Sequence, residues 1–480
     1  MAEKIKLEDV VIDNAVYPRE RWNSHTISEY ADALKAGSQF PPIVLQNETN
    51  VLLDGMHRLL AAKKYLASYR EHEQEPRFVE DDGWAEASEE IEIEYHVIPE
   101  GVPAKLYAAS LSARHGDRLT PAERRNIARE IFTQNPDFTL ETLCEYLPVS
   151  KSSASDYVAD IRARRREAQK MTAYRLHRLG WTQEEVAQTI GISQSSYAEG
   201  ILSEFPSLEN PIKKLLDSGI PHLDVAERYN MPLILVWAID LAGRTDTQRM
   251  ERLTINIQPY DVWLFNKCHD LFGAQHPGRI PGEIVAHVLY FFTEPGATVI
   301  DPMAGSGTTI DVCLAFGRSC YAYDIDARHE RPDIIRHDLA VDGWPERTKK
   351  ADLIFWDAPY FQKMDKLNIG EDGYVDGSIS NLDRAGYMAF FAEKLAEAKT
   401  LVKKGTRLAF LMSDWDDNTG EREGIFIWNY ADLLRNAGWN LIRHIQVPLS
   451  TQQVHPDIVN KFRQAHRLAR LERYLIMAEA

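Results

Sequence analysis

The 480-residue sequence predicts a multidomain α/β protein: an α+β module first, a helical middle, and a doubly wound α/β domain last. Three observations carry this. Short apolar runs bounded by turn residues crowd the first hundred residues; polar-started helices recur in the middle; apolar runs of strand length alternate with helical stretches after residue 250. The expected divisions are 1–117, 118–248 and 249–480. Composition agrees with folded domains: 44% hydrophobic, 26% charged and 10% aromatic residues exclude a collagen-like or largely disordered chain.

In the first region, Pro41-Pro42-Ile43-Val44-Leu45 and Val51-Leu52-Leu53 read as strands around the turn Asn47–Asn50. Asp54-Gly55-Met56-His57-Arg58 then opens a helix over 59–66, and Ile91 to Ile98 alternates apolar with acidic residues as a half-buried strand does. Residues 71–90 read as a charged surface loop. In the middle, Thr120 and Pro121 mark a helix start. Two segments then share one layout: 138–153 and 181–196 each run helix, tight turn, and a helix opened by Ser150-Lys151-Ser152-Ser153 or Ser193-Gln194-Ser195-Ser196. That is the helix-turn-helix arrangement, whose second helix offers its N-terminus to the DNA major groove. A third copy, from Gly219 to Ala242, has an apolar second helix and reads as packing. Between the first two copies, residues 161–180 hold seven Lys/Arg and one Glu. The expected DNA contacts are Lys151, Ser152, Arg164, Arg165, Arg166, Gln194 and Ser195. The plainer alternatives are N-cap serines and a solvated helix face.

Charge does not decide the partner by its total. The net charge is −17, but residues 71–100 alone carry −11. The remaining excess is small, and the run at 161–180 is +6. Four scattered cysteines form no Cys-x₂-Cys pair, so no metal site is expected, and they suit a reducing cytoplasm. No run of 18 apolar residues suggests a membrane span.

The last region carries the chemistry. Strands are expected at 297–300, 320–323, 352–356 and 407–412. The first ends in Asp301 and runs into Gly305-Ser306-Gly307-Thr308 and a helix, a turn where backbone can approach a ligand at the carboxyl edge of a parallel sheet. A dinucleotide fingerprint would need a third glycine, and Ile310 stands there. Asp324 closes the second strand, where a carboxylate can accept from two ribose hydroxyls. Asp338 follows a third apolar stretch and reads either as an adenine contact or as a surface acid. Asp357-Ala358-Pro359-Tyr360 ends the next strand. A base amine is a poor nucleophile, because its lone pair is delocalised into the ring. An Asp and a backbone carbonyl that accept its two N–H groups favour attack on a methyl, and a Tyr face can stack a flipped or single-stranded base.

On these motifs the stretch 261–361 resembles the amino-group (N6-adenine or N4-cytosine) DNA methyltransferases, which have a Rossmann-like fold. The resemblance implies S-adenosyl-L-methionine as cofactor, held by Asp301, Gly305, Ser306, Gly307, Thr308, Asp324 and Asp338, with His276 and Pro277 at the methionine end. It implies Asp357, Pro359 and Tyr360 as catalytic, and adenine N6 as the acceptor. Ala358 replaces the family's first Pro but keeps the carbonyl. Only 46 residues separate Tyr360 from the strand at Arg407, leaving little room for a separate recognition domain. Residues 1–117 resemble the ParB/sulfiredoxin-like N-terminal domain through Phe40–Leu45, Asp54–Arg58 and Ala61–Lys64. That resemblance implies a nucleotide such as CTP at Gly55 and Arg58. Met56 stands where sulfiredoxins have Cys, and Ser112–Gly116 departs from the second phosphate motif. The other use of such a module is docking or a homodimer. A ParB-like DNA-binding regulator with a vestigial methyltransferase domain is thus the competing reading.

Overall fold

The computed structural model describes residues 3–19, 21–73, 84–112, 119–135, 138–274, 279–326, 331–361, 378–415, 423–449, 456–466, 468 and 471–480. The chain divides into two compact units, Met1–Glu167 and Ala168–Ala480.

The first unit contains a four-stranded sheet of β1 (Glu3–Lys6), β2 (Ile43–Gln46), β3 (Leu52–Asp54) and β4 (Glu90–His96), in the order β1-β4-β2-β3. β2 and β4 run parallel; the other pairs are antiparallel. The alternation in β4 explains part of the acidic patch. Ile93 is buried with Ile43, Leu45 and Leu52, while Glu90, Glu92 and Glu94 face solvent. The helix after Asp54 runs over Met56–Glu73, longer than the sequence suggests, and takes up the start of the expected 71–90 loop. Residues 74–83 of that loop lie outside the described residues. Helix Pro121–Gln134 starts as expected: Thr120 and Glu123 form a reciprocal capping box with Pro at the first turn. Its apolar face, Ile127, Ala128 and Ile131, shares a core with Leu106, Leu143, Ala154 and Val158.

The second unit is built on a seven-stranded sheet: β5 (Thr298–Asp301), β6 (Ser319–Asp324), β7 (Ile334–Arg336), β8 (Leu353–Asp357), β9 (Arg407–Met412), β10 (Asn440–Gln446) and β11 (Tyr474–Glu479). The order is β10-β11-β9-β8-β5-β6-β7, parallel except that β11 runs antiparallel to both neighbours. Four of these strands are the expected ones, shifted by at most a residue or two. Their near-continuous apolar sequences fit burial on both faces.

The region 118–248 reads as one helical block, yet its helices divide between two cores. The boundary between the units falls within the helix Lys151–Arg178. From Ala173 onward, the helices share one continuous apolar core with the sheet. The turn after this helix is stitched to β6. Cys320 N donates to Leu179 O at 3.0 Å, Trp181 Nε1 donates to Cys320 O at 3.0 Å, and Trp181 stacks on Tyr321 at 5.5 Å. The third helix pair ends in Leu233–Leu241, almost wholly buried, which agrees with its reading as packing. Among the described residues, no helix is long and apolar enough to cross a membrane.

Candidate active site at the carboxyl edge of the sheet

Chain order places the site. β5, β6 and β7 step outward in one direction; the chain then returns to lay β8 on the other side of β5. The loops after β5 and β8 therefore flank the crevice where an open α/β sheet reverses its winding, the usual ligand position in such folds.

The loop after β5 carries Asp301 at its start and leads into helix Thr308–Phe316. Gly305 (φ 49°) and Gly307 (φ 83°) both adopt left-handed backbone. Two neighbours hold the loop. Ala304 N donates to Tyr323 O at 2.8 Å, and Gly305 N donates to Asp324 Oδ2 at 2.8 Å. From the other side, Arg331 Nη1 donates to Ser306 O at 2.9 Å. A Cβ on Gly307 would lie 2.4 Å from the Arg331 guanidinium carbon, whereas one on Gly305 would meet nothing within 4 Å. The loop is thus filled on one flank and open over Gly305. Ser306, Thr308 and Thr309 are buried.

Asp301 is 2% exposed and accepts from Met303 N at 3.1 Å. Burial pushes its carboxyl up to about 7, helped by the charges of Asp357 and Asp324; Thr309 and the Met303 amide pull the other way. Half-buried Asp324 ends β6. One carboxylate oxygen accepts from Gly305 N and the other from Asp326 N, both at 2.8 Å. A strand-end acid that organises the glycine loop retains lone pairs for a hydroxyl-bearing ligand. Asp338 does follow β7. Its Oδ1 caps the short helix Leu339–Asp342 by accepting from Ala340 N at 2.9 Å.

β8 ends in Asp357, half-buried at the same edge. Burial raises its carboxyl to about 6, opposed by Arg473 and by a hydrogen bond from Tyr360. Tyr360 Oη donates to Asp357 Oδ1 at 3.0 Å. Pro359 O accepts from Tyr387 Oη at 2.9 Å, and Phe361 is wedged between Tyr387 and Trp415 with ring centroids 5.0 and 4.8 Å away. Ala358 is buried, so a small residue closes the turn. Trp356 Nε1 lies 3.4 Å from Met303 Sδ, tying this strand to the glycine loop. The sheet therefore brings Asp301, Gly305–Thr308, Asp324 and Asp357–Tyr360 to one edge.

His276 and Pro277 lie outside the described residues. The backbone leading to them is anchored at the loop: Gly273 N donates to Asp311 Oδ2 at 2.8 Å and Ala274 N to Ser306 O at 3.2 Å. Sequence reasoning missed Arg331, Asp311, Asp333 and Tyr387. Nothing in their local motifs marks them, because the groups that give them a role, Arg175, Gly273, Ser306 and Pro359, lie 25 or more residues away in the chain.

The other expected sites fare differently. Gly55 is left-handed at φ 102° and packs on Ile43, as a strand-to-helix glycine should. Arg58, however, is turned inward. Its guanidinium donates to Asp54 Oδ2 at 2.7 Å, Pro41 O at 2.8 Å and Pro42 O at 2.5 Å. A phosphate there would have to compete with those acceptors. Ala113 to Gly116 lie outside the described residues. In the basic run, Lys170, Arg175 and Arg178 are engaged by Glu204, by Asp311 with Asp333, and by Glu209, so the +6 run is not a uniform basic face. Arg164 and Arg166 are exposed and Arg165 is half-buried. Lys151, Ser152, Gln194 and Ser195 are exposed at the starts of their helices, with Lys151 paired to Glu141. The second helix of the 181–196 copy continues irregularly, from α-helix at Gln194–Ser196 into a π-turn at Tyr197–Leu202. Among the described residues, no group of three or more His, Cys, Asp or Glu is placed to hold a metal ion.

Residues 241–335 match the family model of the N6/N4 DNA methylases. The sequence is 31% identical over 84 residues to the DNA adenine methyltransferase YhdJ of Escherichia coli (strain K12), a match spanning 17% of this chain and 29% of that protein. The chain thus covers less than a third of that relative's length. Among solved structures, TrmN from Thermus thermophilus aligns with 42% of this chain and 50% of its own at 16% identity and a TM-score of 0.26. The C-terminally truncated chromosome-partitioning protein ParB from Caulobacter crescentus, complexed with CTP-gamma-S, aligns with 33% and 76% at 11% identity and a TM-score of 0.18.

Proposed function

We propose that the chain transfers a methyl group from S-adenosyl-L-methionine to an exocyclic amine of a DNA base, adenine N6. The observation that carries this is the convergence, at one reversal point of the sheet, of the loop-organising acid Asp324 and the carboxylate-bearing turn Asp357–Tyr360. The family match over 241–335 supports the class of reaction, and the adenine-specific relative supports the choice of base.

The residues fit the cofactor. Gly305 leaves open space at a left-handed turn, Asp324 offers carboxylate lone pairs beside it, and Asp338 stands after the next strand. When bound, S-adenosylmethionine supplies an electrophilic methyl group. Asp357 accepts one N–H of the target amine, and the backbone carbonyl of Ala358 accepts the other, which concentrates electron density on nitrogen. Tyr360 stacks the base, and its bond to Asp357 supports the carboxylate's orientation. Tyr387 restrains the turn through Pro359 O. A base read this way leaves the duplex stack. Lys151, Ser152, Arg164, Arg165, Arg166, Gln194 and Ser195 are the proposed DNA contacts.

The test is methylation with isotope-labelled cofactor and mixed-sequence DNA, followed by digestion to nucleosides. Labelled N6-methyladenine is expected from the wild-type chain. Asp357→Ala should lower the rate by roughly 10³-fold or more while still binding cofactor, in the range for loss of a group acting mainly in the transition state. Absence of any labelled methylated nucleoside, with cofactor binding demonstrated, would sink the proposal.

A further inference from the structure

A buried cluster of four charges lies against the glycine loop, outside the groups that touch substrate or cofactor in the proposed reaction. Arg331 comes from the segment before β7. It donates to Asp333 Oδ1 at 3.0 Å, Asp311 Oδ1 at 2.9 Å and the loop carbonyl of Ser306 at 2.9 Å. Asp311 lies one turn into the helix that the loop opens, and also accepts from Gly273 N at 2.8 Å. The fourth member comes from outside the sheet's own connections. Arg175, near the end of helix Lys151–Arg178, donates from Nε to Asp333 Oδ2 at 2.5 Å and from Nη2 to Asp311. Asp333 is 1% and Asp311 5% exposed, so two acids are sunk in the protein against two guanidinium groups. Burial opposes the ionised Asp333, but Arg175 and Arg331 outweigh it and hold the carboxyl down at about 2.

We propose that Arg175 and Arg331 are positioning residues that set the conformation of the S-adenosylmethionine loop; this rests on the cofactor reading above. The geometry argues for a dedicated brace. Arg331 fills the space that a Cβ on Gly307 would occupy, so the second glycine of Gly305-Ser306-Gly307 and this guanidinium are a matched pair. The Arg331 bond to Ser306 O fixes the loop peptide next to the one that Asp324 holds through Gly305 N. Asp311 joins the loop's helix to the Gly273–Ala274 backbone. The cluster balances only as a set of four. Without Arg175, two buried acids share one guanidinium, and an uncompensated buried charge is among the costlier defects a fold can carry. The strain falls on Arg331 and Asp311, the two groups that touch the loop or its helix. A planar, two-pronged cation suits this geometry and a point charge does not.

The test is calorimetric binding of S-adenosylhomocysteine to the full chain, with steady-state kinetics and melting temperature measured in parallel. Arg175→Ala should weaken binding tenfold or more and raise KM for the cofactor similarly, while kcat at saturating cofactor stays within about threefold. Arg175→Lys should recover only part of the loss. Arg178→Ala is the fold-matched control. Arg178 sits one turn away and donates to Glu209 and Ala238 O, so its loss should lower the melting temperature and leave affinity within twofold. Should Arg175→Ala fail to fold, Asp333→Asn decides, with at least a threefold loss of affinity expected. Wild-type affinity in the folded Arg175 variant, or in Asp333→Asn where that variant does not fold, overturns the inference. So do equal losses in the Arg175 and Arg178 variants. A wild-type chain that binds no S-adenosylhomocysteine overturns both this inference and the cofactor reading beneath it.

Discussion

Two turns in this molecule are written in nearly the same words and behave in opposite ways. In the first unit, β3 ends in Asp54, Gly55 turns left-handed, and a helix begins at Met56. In the second, β5 ends in Asp301, Gly305 and Gly307 turn left-handed, and a helix begins at Thr308. The difference lies in what each acid meets. Asp54 is paired at 2.7 Å with Arg58 Nη2, and Arg58 Nη1 is engaged by two proline carbonyls. Asp301 has no salt-bridge partner among the described residues and sits near two other carboxylates, so burial raises its proton affinity. A glycine turn is chemically available when its polar groups are not already consumed by its own neighbours. The spacing of residues along the chain does not report that.

The sharpest way to break this contrast is to add a methyl at each turn. Gly307→Ala collides with Arg331 and should lower cofactor affinity by tenfold or more, read by calorimetry. Gly55→Ala collides with Ile43 Cγ2 at 2.6 Å and should cost roughly 1–3 kcal/mol of stability in denaturant titration, with cofactor affinity unchanged. A loss of cofactor affinity in the second variant would erase the distinction.

The next effect is on pH. Asp357 must be ionised to accept an amine N–H, and its carboxyl titrates near 6. The value of kcat/KM should therefore fall about tenfold per pH unit below that point. Asp301→Asn should leave this limb in place, which separates the two acids.

The smallest effect is on stability. Asp301 holds its proton up to about 7 in the folded chain, against an ordinary value of 3.8. Between these values the folded state binds more protons than the unfolded state, so stability falls as pH rises through this window. Asp301→Asn removes that penalty. It should melt above the wild type at pH 8, by about 2–4 °C for each kcal/mol relieved, and the gap should close as pH falls towards 4. A gap that does not shrink would mean that the buried charge is not the cause.

Much of the second unit was legible beforehand because its strands are apolar on both faces and its loops carry acids at strand ends. β10 and β11 were not foreseen: Asn440–Gln446 is largely exposed and mixed in character, and Tyr474–Glu479 completes the sheet only by pairing antiparallel with β9. The helix start at Thr120 was readable because its cap is closed within four residues. Arg175 was not, because its acids lie 136 and 158 residues away. It reads instead as one more cation in a basic run. Arg58 is the counterpart. Its position in a familiar motif suggested an outward role, while the carbonyls that draw it inward belong to ordinary prolines.

The stitching of Leu179–Trp181 onto β6 bears on where the chain can be cut. The sequence leads one to expect the last domain from residue 249, and the sheet has packing partners that come earlier in the chain. Its β6 backbone is paired with Leu179, Leu233–Leu241 packs against helix Thr308–Phe316, and that helix is bonded through Asp311 to the side chain of Arg175. The compact unit therefore starts at Ala168, and a variant cut at residue 249 would strip the sheet of the second helix pair that packs with it.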